Sequence, residues 1–170
     1  MNLRTVGAIF IVAGCGGFGL SMAAEQLRQL RFLKQLQTAL KLMELELQFH
    51  LTQLPELCAM AGKQAGGVVK SVLLALSREL DRQILPDVSS CMQQILKAQG
   101  ELSRSQREML KSLGTSLGVY DLPGQLDGIR ALEVECREKR DQLETGRSQR
   151  FRNYEILGLC AGGALVILFI

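Results

Sequence analysis

AEQLRQLRFLKQLQTALKLMELELQFHLT, residues 24–52, is the stretch whose reading decides the fold. Within it Leu33, Leu36, Leu40, Met43 and Leu47 recur at steps of three and four, the period of an α-helix and not of a strand. The stripe runs on to Leu51 and Leu54, and Leu42, Leu45 and Phe49 lie on a neighbouring face. A helix apolar on two faces is normally packed on two sides, so this one is predicted to form the centre of a helical bundle. Nothing in the sequence breaks it from the apolar run just before it. One helix should therefore leave that run and continue to about Thr52.

The apolar run has a counterpart at the other end of the chain. Val6 to Ala24 carries no ionisable side chain except Cys15, and Ile156 to Ile170 none except Cys160. Of the 20 Lys and Arg residues only Arg4 lies outside the stretch from Glu25 to Glu155. A charge at the centre of a bilayer costs on the order of 3 kcal/mol, so uncharged runs of this length are candidate membrane spans. The second is short: residues 154–170 make about 25 Å of helix, enough to cross if the bilayer thins slightly. Positive residues flank the inner side of both, Arg28, Arg31 and Lys34 after the first, Arg147, Arg150 and Arg152 before the second. The positive-inside rule then places the central domain in the cytoplasm and both termini across the membrane. Gly17, Gly19, and the Gly158-x-x-x-Gly162 pair belong to small-residue stripes that let helix backbones approach closely in lipid.

The expected organisation is all-α: an N-terminal transmembrane helix over 1–24, a helical bundle over 25–153 and a C-terminal transmembrane helix over 154–170. Within the bundle, short helices are predicted over 54–63 and 66–84, with Pro86 able to open the next. Ser103-x-x-Gln106 is a capping box for a helix over 104–117, and Gly118 suits its left-handed terminator. Asp121 caps the last helix, with Pro123 in its first turn. Leu122, Leu126, Ile129, Leu132, Cys136 and Leu143 give that helix one apolar stripe. Its other side carries the four-apart pairs Glu133/Arg137, Glu135/Lys139 and Arg140/Glu144. After Leu143 the stripe stops, and Thr145 to Asn153, polar all round, reads as a solvated stalk or a docking surface beside the membrane.

Composition narrows the function. Nineteen basic and 16 acidic residues intermix between Glu25 and Asn153, so no block of one sign points to nucleic acid. The chain also has no Trp and two Tyr, which leaves few stacking platforms for bases. The five cysteines, Cys15, Cys58, Cys91, Cys136 and Cys160, have neither disulfide-framework nor zinc-ligand spacing and read as small buried residues. The single histidine, His50, has no second imidazole or nucleophile signalled beside it, and reads as a satisfied helix residue. Glu44 and Glu46 are two apart on a helix and point to different faces, so they are poor acid–base partners. There is no P-loop. The reading is a protein that is not an enzyme, with no cofactor, metal or small-molecule substrate.

Two N-terminal patterns mislead. Residues 14–19, Gly-Cys-Gly-Gly-Phe-Gly, fit a dinucleotide fingerprint, but a helix follows where that fold needs a strand ending in an acidic residue. Val12-Ala13-Gly14-Cys15 is similar to a lipoprotein signal. Its basic region is a single Arg, the apolar run continues past Cys15, and export would carry 19 basic residues outside. The mass of the purified protein distinguishes a lipidated Cys15 from an intact span.

An ordered set of short motifs runs through the chain: Arg28-x-x-Arg31, Ala39-Leu40, Glu44-x-Glu46-Leu47, Thr52-Gln53-Leu54 with Glu56, and Leu113-Gly114-x-x-Leu117-Gly118-x-x-Asp121-x-x-x-Gln125. Together with the two apolar ends, this order and spacing resembles the stage III sporulation protein AB family of endospore-forming Firmicutes over essentially the whole length. One departure stands out: the family usually shows Thr-Pro-Leu where this chain has Thr52-Gln53-Leu54, with Pro55 following.

The resemblance implies a subunit of the eight-protein apparatus linking mother cell and forespore, seated in the outer forespore membrane on the mother-cell side. It also implies a domain similar to the cytoplasmic part of the platform protein of type II secretion and type IV pilus systems, which connects an ATPase to the membrane assembly. The expected partners are then the lipid bilayer, the ATPase and other stage III channel proteins. The rival readings are a membrane-tethered adaptor or signalling protein that binds a partner through its bundle, and a small-molecule-binding membrane protein, for which no polar constellation is seen. Gly114, Gly118 and Asp121 also have a plain reading as cap chemistry at a turn between helices, and Arg28 and Arg31 as topology anchors.

Overall fold

Six helices and no strand make up the described part of the chain: α1 (Leu3–Phe49), α2 (Leu54–Gln64), α3 (Gly67–Arg82), α4 (Val88–Ala98), α5 (Arg104–Ser116) and α6 (Leu122–Phe169). The computed structural model describes residues 3–82, 87–100, 102–118 and 121–169, with side chains within 24–145 of those ranges. Among the described residues no helix is long and apolar enough to cross a membrane. The apolar ends, with Gly17, Gly19, Gly158 and Gly162, lie outside the residues whose side chains are described, as do Arg147 and Arg150.

The register of α1 against α6 organises the rest. Arg130 Nε donates to Glu44 Oε1 at 2.7 Å, Lys41 Nζ lies 3.9 Å from Glu133, and Arg140 Nη1 donates to Gln37 Oε1 at 3.4 Å. As the number falls on α1 it rises on α6, so the two helices are antiparallel. Their described parts therefore part from the bundle at one end, near Ala24 and Thr145. We call this the near end, and the opposite end, where α1 gives way to α2 and α5 to α6, the far end. The remaining helices alternate between the two: Gly118, after α5, lies against Val88 at the start of α4 and Leu54 at the start of α2.

The predicted stripe of α1 is the core. Leu36, Leu40 and Met43 are fully buried with Leu57 of α2, Leu73 and Leu76 of α3, Met92 of α4, Leu110 and Leu113 of α5 and Ile129 of α6. Each such side chain contributes about 1.5–3 kcal/mol by leaving water. The second apolar face of α1 behaves otherwise. Leu42 is half-buried, but Leu45 and Phe49 are exposed, so α1 packs along one side and is not the centre of the bundle. On α6 the stripe is as read: Ile129, Leu132 and Cys136 are buried, and Leu122, Leu126 and Leu143 pack at its margin. The Glu133/Arg137, Glu135/Lys139 and Arg140/Glu144 pairs form at 4.0, 2.7 and 3.8 Å.

Helix ends follow local chemistry. Ser103 Oγ accepts from Gln106 N at 3.3 Å while Ser103 N donates to Gln106 Oε1 at 3.1 Å, completing the capping box of α5. The start of α4 differs from expectation: Asp87 holds the cap position and the helix begins at Val88, with Pro86 outside the described residues. Likewise α3 is described over Gly67–Arg82, and its predicted end at Ile84 lies outside the described residues. The predicted stalk proves to be part of one uninterrupted helix, α6. At the end of α1, Leu51 has φ +50°, a left-handed conformation that costs an L-residue about 1–2 kcal/mol and that helix termini usually assign to Gly.

Candidate functional site

Four motif positions well separated in sequence, Thr52, Leu54, Gly118 and Asp121, lie at the far end. Thr52 hydroxyl donates to Glu46 Oε2 at 2.9 Å, tying the exit of α1 back onto its last turn. His50 Nδ1 lies 3.4 Å from the same oxygen, and the His50 backbone N–H donates to the Glu46 carbonyl at 2.9 Å. The histidine is thus exposed, not buried with the stripe it continues, because the helix ends beneath it. Glu44, two residues earlier, faces Arg130 instead, and its hydrogen bond and charge raise the guanidinium pKa above the ordinary arginine value. The two glutamates serve different neighbours, as their spacing requires.

Leu54 opens α2 without a side-chain cap; Gln53 is in extended conformation and Pro55 occupies the first turn. This is how the chain accommodates the shifted proline: the ring stands where its missing N–H has no partner to lose. Leu54 packs against the core, and its Cδ2 would lie 3.3 Å from a Cβ added at Gly118. Gly118 has φ +78°, and an added Cβ would stand 2.6 Å from Val88 Cγ2, so both backbone and space call for glycine. Asp121 Oδ1 accepts from Gly124 N at 3.3 Å, and Gln125 N donates to the Asp121 carbonyl at 2.9 Å in the first turn of α6.

Gly114 has a different reason. It lies inside α5, not at the turn, and an added Cβ would meet Met92 Cβ at 2.6 Å. It sets how closely α4 and α5 approach. Its assignment to turn chemistry is thereby corrected, whereas Gly118 and Asp121 keep theirs. Arg28 and Arg31 sit exposed on α1 at the near end, remote along the helix from the far-end cluster.

Sequence reading passed over two features. Arg107 Nη1 and Nη2 donate to the carbonyls of Leu96 and Gln99, pinning the α4–α5 connection to α5. Nothing in local sequence signals an arginine that reaches eight to 11 positions back. The second is the exposure of Leu45, Phe49 and Leu51 at the far end, where their spacing points to burial. An open groove of about 240 Å³ lies instead at the near end, where Phe32 and Leu33 of α1 face Met109 of α5 and Leu143 of α6. Its one cationic side chain, Lys139, is bonded to Glu135 at 2.7 Å. Among the described residues no group of three or more His, Cys, Asp or Glu side chains is placed to hold a metal. Cys58, Cys91 and Cys136 are buried free thiols, and burial pushes the pKa values of Cys58 and Cys136 up to about 12.

Comparison with known proteins gives this arrangement a lineage. A family described as stage III sporulation protein AB matches residues 4–170. The stage III sporulation protein AB of Bacillus subtilis (strain 168) is 27% identical over 168 residues, covering 98% of each chain. A solved structure of a stage III sporulation protein AB superposes with a TM-score of 0.62 at 25% identity, covering 72% of this chain and 98% of its own. The chain belongs to the stage III sporulation protein AB family.

Proposed function

We propose that this protein is a non-enzymatic platform subunit of the sporulation apparatus, anchored in the mother-cell membrane by both ends, with its bundle in the cytoplasm. The observation that carries the reading is the antiparallel pairing of α1 and α6, in which Glu44 meets Arg130 and Gln37 meets Arg140. Two helices that leave a bundle at the same end can both enter the same membrane from the same side. The apolar stretches over 6–24 and 156–169 belong to those two helices, and the charge asymmetry supports a cytoplasmic bundle.

On this reading Gly17, Gly19, Gly158 and Gly162 serve helix packing in lipid, and Arg28 and Arg31 hold the near end against the headgroups. Arg147 and Arg150 lie where other membrane subunits would dock, while the far end, farthest from the bilayer, faces the ATPase of the apparatus. In sporulating cells, the full chain is expected to stay in the membrane pellet through an alkaline carbonate wash, with an intact mass showing no lipid on Cys15. Recovery of the intact chain in a detergent-free soluble fraction would reject the anchored platform.

A further inference from the structure

Exposed apolar side chains cluster where the fold has least use for them. Phe49 and Leu51 are each 68% exposed and Leu45 53% exposed. Leu45 and Phe49 are one turn apart on the same face of α1, and Leu51 continues past the helix end. Leu51 is doubly out of place, a large apolar side chain in water on a backbone with φ +50°. Gly or Asn would fit that conformation with less strain and no apolar exposure, so folding does not account for leucine here. The loop is nonetheless held in place: Thr52 and His50 both engage the Glu46 carboxylate.

The charge around this trio is one-sided. Segments 41–56 and 121–133, which form this corner of the far end, hold Glu44, Glu46, Glu56, Asp121, Asp127 and Glu133 against two cations, Lys41, one turn before Leu45 on the same face, and Arg130. The chain as a whole is net positive, at +3. We propose that Leu45, Phe49 and Leu51 form the anchor of a docking surface for a protein partner that offers an apolar pocket ringed by basic side chains. An apolar centre within a charged rim is the usual anatomy of a specific interface, and aromatic anchors in such centres carry much of the binding energy. A basic rim on the partner complements the carboxylates and speeds encounter. The proposal deepens the platform reading and rests on it for the partner's identity, the ATPase of the apparatus.

The test uses the full chain in lipid nanodiscs with the purified ATPase, comparing wild type with Phe49→Ser, Leu51→Gly and the exposed flank control Val134→Ser. Both far-end variants should weaken binding about tenfold or more while melting at or above the wild-type temperature. Val134→Ser should bind as wild type, and raising salt should weaken the wild-type complex. Wild-type affinity in both far-end variants would overturn the surface and leave the platform reading standing. So would loss of self-association in those variants, which makes a second copy of the chain the occupant. If the wild-type chain does not bind the ATPase, that partner assignment fails, and spore yield decides the surface. Folded far-end variants at the yield of a deletion strain then support a different basic partner, and full yield overturns the docking surface.

Discussion

Gly118 shows how much one residue can be read from sequence and how much it cannot. Its position after the last apolar residue of a capped helix predicts a left-handed terminator, and φ is +78°. The same glycine also admits Val88 and Leu54, from two other helices, and no local pattern announces that. Gly118→Ala is therefore expected to lower unfolding stability by roughly 1–3 kcal/mol, combining backbone strain with displacement of Val88. Urea denaturation of the purified protein measures it, and a change within error of zero would remove both arguments. Gly114 was legible only as a motif member. Its physical reason, contact with Met92, depends on a helix 22 positions away in sequence.

Elements were legible where their signals are local. The capping box at Ser103 and Gln106, the Asp121 cap and the four-apart ion pairs each involve residues within one turn, so periodicity and spacing suffice. Ser103→Ala should cost about 1 kcal/mol of stability by orphaning the Gln106 N–H, with the loss visible in chemical denaturation and largely restored by Ser103→Thr. If alanine is neutral at this position, the box holds the α5 terminus no better than water does. The second apolar face of α1 was misread for a nonlocal reason. Leu45 and Phe49 have the spacing of buried residues, and only the placement of the other helices shows that no helix covers them. An arginine such as Arg107, bonded to carbonyls of another helix and its exit, is equally beyond a local reading.

At the scale of the whole molecule, one core joins all six helices, so its parts should open together. Cys58, Cys91 and Cys136, from α2, α4 and α6, report on this. At pH 8 their peptides should resist alkylation in the native protein and become reactive over the same urea range; ready labelling of any one in the absence of denaturant would show local opening. Their ionisation also sets a direction with pH. Burial raises the folded-state pKa of Cys58 and Cys136 from 9.0 to about 12, so the unfolded chain loses these protons first. Stability is insensitive to these thiols below about pH 9 and falls as pH rises from there toward 12. Replacing both with Ala or Ser should flatten that alkaline decline in a pH series of melting curves.

What the sequence determined by itself is everything written in short-range spacing: an all-helical chain, the core stripe of each long helix, most helix ends, the uncharged run near each terminus and the ordered motifs of its family. These survive without coordinates because each depends on residues within a turn or two of one another, or on composition alone. Only the tertiary structure decided that α1 and α6 lie antiparallel and leave the bundle at the same end, that Thr52, Leu54, Gly118 and Asp121 share the opposite end, and that Leu45, Phe49 and Leu51 face water there. Which face of an apolar helix is covered depends on where distant segments come to rest, and no single helix carries that information.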